Sequence, residues 1–219
     1  MTFRNHLTLA LAVLVAAITP HARAALDEGT YDRVVASQPH IGDIVFTRIG
    51  GPIFTRVAET TCSWTSHVGI IVDFRDGDWI VAESAVPFVR KTALRRFLDR
   101  SEDQQFSIKR LKPEPDDAAK REMLGFADSQ MGRLYSLGFN LESRSTFCSK
   151  FVHDVVLAGT HQSIGETETF EHLLHRNPGA PLWFWRTWFL GFIPWSRTTI
   201  TPASELSSPL LAPVVQNNV

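Results

Sequence analysis

The apolar positions of Thr146–Val156 (TFCSKFVHDVV) fall at Cys148, Phe151, Val152, Val155 and Val156. That i, i+3, i+4, i+7, i+8 spacing is one face of an amphipathic helix. Upstream, two β-rich runs, SHVGIIVDF (Ser66–Phe74) and DWIVAESA (Asp78–Ala85), flank Asp76-Gly77. Two such runs around an Asp-Gly predict a hairpin. Ile41–Phe46 reads as a turn feeding a strand, and Gln105–Lys112 alternates like another. Further helices are expected over Asp27–Ser37, from Pro52 to about Thr60, from a Thr92 cap through Phe97, and from Asp116 to Met131 with Gly132 closing it. For the Cys148 helix, Ser145 or Thr146 is the expected N-cap and Gly159 the expected C-terminal cap. Beyond it the chain reads as irregular, and residues 181–195 (PLWFWRTWFLGFIPW) hold four of the six tryptophans. Together these elements predict an α+β domain, an antiparallel sheet packed on the helix that bears the cysteine.

The first 24 residues read differently. Arg4 and His6 precede an apolar run, Leu7 to Ile18, and Ala22-Arg23-Ala24 follows it. That is the layout of a cleaved secretory leader, with a run too short to span a bilayer. Cleavage near Ala24 would leave residues 25–219 as one domain in a periplasm or outside the cell. Without the leader the chain has 20 basic and 23 acidic side chains, a net charge of −3, and no long basic run. A nucleic-acid partner therefore has no electrostatic support. Two cysteines, Cys62 and Cys148, do not make a disulfide scaffold. A single Cys62–Cys148 bridge stays open, ranked below free thiols.

The chemistry turns on Cys148. In the first turn of a helix, free N–H groups and the helix dipole favour a thiolate and can help form an oxyanion hole. Taken alone, though, the helix reads better as a core stripe that begins with a buried thiol. A nucleophile needs a base, and His67 stands at the start of the first hairpin strand, beside Gly69. That glycine leaves room for a backbone or a substrate to approach. Glu83 ends the apolar second strand and is the candidate orienting carboxylate, with Asp73 and Ser84 as fallbacks. A two-residue Asp76-Gly77 turn pairs Glu83 with Ile70 and turns His67 to the other face. A pairing of Glu83 with Gly69 makes Glu83 and His67 diagonal neighbours, roughly 7–8 Å apart along the backbone. A Cys–His–Glu site therefore requires a longer loop or a β-bulge.

Several segments taken in order resemble a known family. IGDIVF, then SHVGIIV with a glutamate sixteen residues after the histidine, then GRLYS leading to FCSKFV, are similar to the YiiX/YebB-like cysteine hydrolases. These are circularly permuted relatives of the NlpC-type papain-like peptidases, and ITPASELSSPLLAPVV is similar to their closing segment. The resemblance implies a permuted papain-like fold, with Cys148 as nucleophile, His67 as base and acid, and Glu83 as the orienting group. It further implies a substrate or oxyanion role for Tyr135, with Ser66 as a second substrate contact. No cofactor or metal is implied. His153, His161, His172 and His175 read as solvated, with His153 on the exposed helix face and no ligand spacing around them. The expected activity is hydrolysis of amide bonds in cell-wall peptides or related small peptide or acyl substrates. Two alternatives stay open: a lipid or acyl-ester enzyme of the lecithin:retinol acyltransferase type, and a catalytically silent binding module. The tryptophan-rich segment reads as core or a lid, or as a peripheral membrane contact through residues 183–195, since Trp favours the membrane–water boundary.

Overall fold

The computed structural model describes residues 25–219. The leader expected at residues 1–24 lies outside them. In chain order the first elements are α1 (Glu28–Ala36), β1 (Ile44–Ile49), α2 (Pro52–Thr60), β2 (His67–Arg75), β3 (Asp78–Ser84), β4 (Val89–Ala93), α3 (Leu94–Leu98) and β5 (Ser101–Leu111). Then follow α4 (Asp117–Ser129), α5 (Cys148–Thr160), β6 (Glu168–Thr169), α6 (Phe170–Arg176), α7 (Leu182–Trp188), β7 (Thr198–Thr199), α8 (Pro202–Leu206) and β8 (Leu211–Asn217). Six strands form an antiparallel sheet in the order β4-β3-β2-β1-β5-β8, and β6 and β7 pair separately.

Local chemistry starts several helices where the pattern placed them. Asp27 and Asp116 accept from the N–H groups of Thr30 and Ala119, both at 2.8 Å, and Pro52 opens α2. The sheet then separates two apolar layers. On one side α5 and α4 pack with Ile44, Phe46, Val68, Ile70 and Val72. On the other, Val45, Ile71, Val81 and Ile108 pack with Leu94, Phe97 and Leu98 of α3. A third cluster gathers Phe139, Phe147, Phe170, Trp185 and Ile200 at the end of the sheet where α5 begins.

Four local expectations are corrected. Thr92 is a β4 residue, and Ala93 is the N-cap of α3. Gly159 lies inside α5, and the helix ends at His161 in the left-handed region. Gly159 is needed there for packing: an added Cβ would sit 2.3 Å from the Ala119 carbonyl oxygen of α4. His153 is buried, with Nδ1 3.1 Å from the Ile164 carbonyl oxygen, because α5 is covered on that face too. The stretch after α5 is also far from irregular. It folds into α6, α7 and α8, and β8 covers the edge of β5.

Candidate active site

The hairpin turn is the two-residue Asp76-Gly77 type, both residues at positive φ, with Arg75 opposite Asp78. That turn alone would set His67 and Glu83 on opposite faces. A β-bulge at Val72 restores them to one side: Asp73 pairs with Ile80, but Ile71 pairs with Val81 and Ile70 with Ala82. Continuing that register puts Glu83 opposite Gly69 and diagonal to His67. Their side chains meet, His67 Nε2 donating to Glu83 Oε2 at 2.7 Å, with both groups fully buried. The carboxylate fixes Nε2–H, which leaves Nδ1 as the basic nitrogen, and Nδ1 has no partner among the described residues.

Glu83 is held from every side. Thr92 Oγ1 donates to Oε1 at 2.8 Å, Arg100 Nη2 to Oε2 at 2.8 Å and Arg90 Nε to Oε1 at 3.3 Å. Burial alone would raise its pKa, but the hydrogen bond from the imidazole and the charge and hydrogen bond of the Arg100 guanidinium outweigh this. They hold the carboxyl well below its usual range. For His67 burial is the largest influence and lowers the pKa, and Arg100 and Arg90 act in the same direction. Because the two guanidinium groups already balance Glu83, the imidazole stays neutral. Phe97 stacks on that ring at 5.5 Å between centroids, and Arg100 lies 5.0 Å above the Phe97 ring. The space beside Gly69 is filled as well: an added Cβ would lie 2.5 Å from Val81 Cγ1 and 3.0 Å from Phe97 Cε2. The glycine thus admits the brace around His67, where the sequence suggested an opening for substrate.

Cys148 is the first residue of α5. The N-cap is Phe147, with no side-chain cap, so neither Ser145 nor Thr146 competes for the first-turn N–H groups. The Ser149 and Val68 backbone N–H groups face Sγ, and the Tyr135 hydroxyl lies against it without a hydrogen bond of good geometry. Ile71 N–H turns toward β1, donating to the Asp43 carbonyl at 2.8 Å. By alternation the Val68 N–H turns toward the β3 side, beyond the last β2–β3 pair at Ile70 and Ala82. The thiol sits at that gap, on the α5 side, one residue along from His67. No hydrogen bond joins His67 to Cys148. Ser84 spans the gap, its hydroxyl donating to the Thr146 carbonyl at 3.2 Å, and Asp73 pairs outward with Arg75.

Burial is the largest influence on the thiol and pushes it up to about 12, against the opposing N–H groups and Tyr135. The resting sulfur is therefore a protonated thiol, where the helix terminus by itself argued for a thiolate. Desolvation of a single anion outweighs a few backbone dipoles. Glu205 of α8 is fully buried with neither carboxyl oxygen hydrogen-bonded, and burial raises its pKa far above the carboxylate range, so it stands as a neutral acid near the thiol. Both cysteines are free, Cys62 exposed and Cys148 buried.

A cleft of about 440 Å³, counted to its open mouth, is lined by Cys148, Tyr135, Phe139, Phe147, Phe170 and Trp185 among others. Ser66 also lines it, but the Ser66 hydroxyl both accepts from and donates to the Ile49 backbone at 3.0 Å. Among the described residues no three His, Cys, Asp or Glu side chains come together to hold a metal ion.

Against this geometry, the model of the Peptidase_C92 family, permuted papain-like amidase enzymes of the YaeF/YiiX type, matches residues 38–215. The chain belongs to this family. Among solved structures, metalloprotein YiiX from Escherichia coli O157:H7 superposes with a TM-score of 0.75 at 23% identity, over 82% of this chain and 98% of that one. The fold is shared: a permuted papain-like arrangement in which the histidine strand precedes the cysteine helix. No curated protein matches the chain. As a Peptidase_C92 member it is a papain-like cysteine amidase by family.

Arg100 and Phe97 gave no signal in the sequence, because both reach Glu83 and His67 only through the packing of α3 on β3. Replacing Arg100 with leucine removes a charge that keeps His67 neutral, so the His67 pKa rises. The acid limb of the kcat/KM profile should move to higher pH, and Arg100→Lys should restore most of it. A pH–rate profile checks this, and an unmoved limb in the leucine variant would count against the arrangement.

Proposed function

We propose that the chain is an exported thiol hydrolase that cleaves an amide bond through a Cys148 thioester. The observation that carries this is the His67–Glu83 hydrogen bond. It leaves Nδ1 unprotonated, with no partner among the described residues, one residue from the backbone N–H that faces the thiol. In the proposed cycle Nδ1 takes the Sγ proton as sulfur attacks the carbonyl carbon. The oxyanion is held by first-turn N–H groups of α5 and by the Tyr135 hydroxyl. The tetrahedral adduct collapses, the C–N bond breaks, and the imidazolium proton leaves on the amine. Water then attacks the thioester, giving a proton back to Nδ1, and the acid departs as Sγ recovers its proton. Glu83 holds the imidazole in one tautomer throughout.

Likeness to NlpC-type enzymes supports cell-wall peptides as the substrate, and the leader-like N-terminus supports export. A second reading rests on the cleft itself. Phe54, Phe139, Phe147 and Phe170 with Trp185 and Ile200 dominate its walls, among serines and threonines, and suit an acyl chain, so a lipid or acyl ester is the alternative substrate.

The test presents one acyl group as both a p-nitroanilide and a p-nitrophenyl ester, with acid-quenched intact mass spectrometry. The expected result is an acyl adduct on Cys148 that disappears in His67→Gln. Turnover of the anilide supports the amidase, and turnover of the ester alone supports the second reading. Acylation confined to Cys62 overturns both.

A further inference from the structure

From His172 to Ser204 the chain carries four tryptophans, three arginines and two histidines and no acidic residue, although the whole chain is net negative. The inner side of this segment belongs to the cleft. Trp185 is buried there, its Nε1 donating to Thr60 Oγ1 at 2.8 Å, and it meets Phe139 and Phe170 edge-on. The outer side is largely open to solvent. Trp183 is 64% exposed, Leu190 89% and Phe192 86%. The protrusion is ordered: Leu190 and Gly191 both take positive φ, and the Gly191 N–H donates to the Arg186 carbonyl at 2.7 Å. The turn so formed carries Leu190 and Phe192 outward. Arg186 is exposed on the same helix and has no ion-pair partner among the described residues. Arg56 stacks beneath, its guanidinium 5.4 Å from the Trp183 ring, and is itself ion-paired with Glu59, so Arg186 is the cation this face offers.

We propose that this face docks on an anionic lipid bilayer. Leu190, Phe192 and Trp183 enter the headgroup–acyl boundary and Arg186 lies against lipid phosphate. Two apolar side chains at a loop tip, a tryptophan at the rim and an arginine with no ion-pair partner among the described residues are the chemistry of an interfacial anchor. A folded protein partner of the usual kind would call instead for a wider patch with matched polar groups at its rim. Docking would bring the cleft to the lipid surface, because α7 supplies both the Trp185 wall and the Trp183 contact. The inference rests on this surface alone, independently of the hydrolytic reading.

The test is cosedimentation of the full chain with phosphatidylglycerol-containing vesicles and with phosphatidylcholine vesicles. The wild type should bind the anionic vesicles more tightly. Leu190→Ser with Phe192→Ser should lower that partitioning about tenfold or more. Arg186→Glu should lower it roughly fivefold or more, on the anionic vesicles only. All three proteins share residues 1–24, so any binding those residues add is common to them. All the substituted side chains are exposed, and circular dichroism checks that the folds match. Equal binding by wild type and the double variant overturns the proposal, as does equal binding of wild type to both vesicle types. Absence of vesicle binding, with self-association abolished by the double variant in light scattering, would assign the face to a second copy and also overturn it.

Discussion

Cys148→Ala, and separately His67→Gln, should lower kcat/KM by at least about a thousandfold on any substrate the chain turns over, since removing one member of such a unit removes nearly the whole chemical step. Cys148 packs against the apolar layer of α5, so trimming it to alanine deletes one buried atom and leaves the helix intact. Its melting temperature should move by only a few degrees. His67→Gln is preferred over alanine because an amide can still donate to Glu83 and cover part of Phe97. The expected pairing, activity gone with the fold kept, separates chemistry from structure. Full activity in the alanine variant, with melting unchanged, would remove Cys148 from the mechanism. A companion readout follows from the raised thiol pKa: near neutral pH an uncharged alkylating reagent should modify exposed Cys62 well before Cys148.

The second large effect is at Glu83. Replacing it with alanine leaves His67 without an orienting acceptor and leaves Arg90, Arg100 and Thr92 without their shared one. Breaking a buried charge cluster from one side costs about 3 kcal/mol here, the low end of the usual range, because both guanidinium groups keep some surface in water. Activity should also fall steeply, since the imidazole loses its fixed tautomer. The pH dependence of stability carries a separate signature. The carboxyl pKa is depressed on folding, so its stabilisation is present above its ordinary value of 4.5 and is lost as pH falls through the lower folded value. The imidazole pKa is also lowered on folding, from 6.5, so the unfolded chain binds a proton first as pH drops. Stability should therefore decline on acidification from about pH 6.5 and decline more steeply below about 4.5. Urea unfolding across that range should show the first loss removed in His67→Gln and the second in Glu83→Gln. A wild-type stability that rises between pH 7 and 5 would contradict the imidazole assignment, and no steepening below about 4.5 would contradict the carboxylate one.

Much of this site was legible before any coordinates. The hairpin around Asp76-Gly77, the amphipathic helix opening at Cys148, and the requirement for a register shift all follow from periods of two and 3.6 and from the alternation of strand side chains. The sequence could not say which device supplies the shift, because a bulge at Val72 depends on how β2 packs between β1 and β3. It could not show the brace of Arg100, Phe97 and Thr92, whose members reach Glu83 and His67 only once β4 and α3 fold back against β3. Thr92 illustrates the limit: locally a plausible helix cap, it is drawn into β4 and donates to Glu83. Gly159 shows the same, a cap by local rules and a close-approach site once α4 lies against it.

The sequence by itself named the candidate side chains, Cys148, His67 and Glu83, the order in which they come, and the condition that His67 and Glu83 share a face for such a site to exist. Only the tertiary structure decided the state of those groups. Charge and protonation depend on burial and on partners brought in by packing. Hence the helix terminus that argued for a thiolate lost to the desolvation of Cys148, and burial, aided by two arginines, set the imidazole neutral. The same holds for the tryptophan-rich segment, whose composition announced aromatic contacts. Packing against Phe139 and Phe170 turned Trp185 into the cleft and left Leu190 and Phe192 outside.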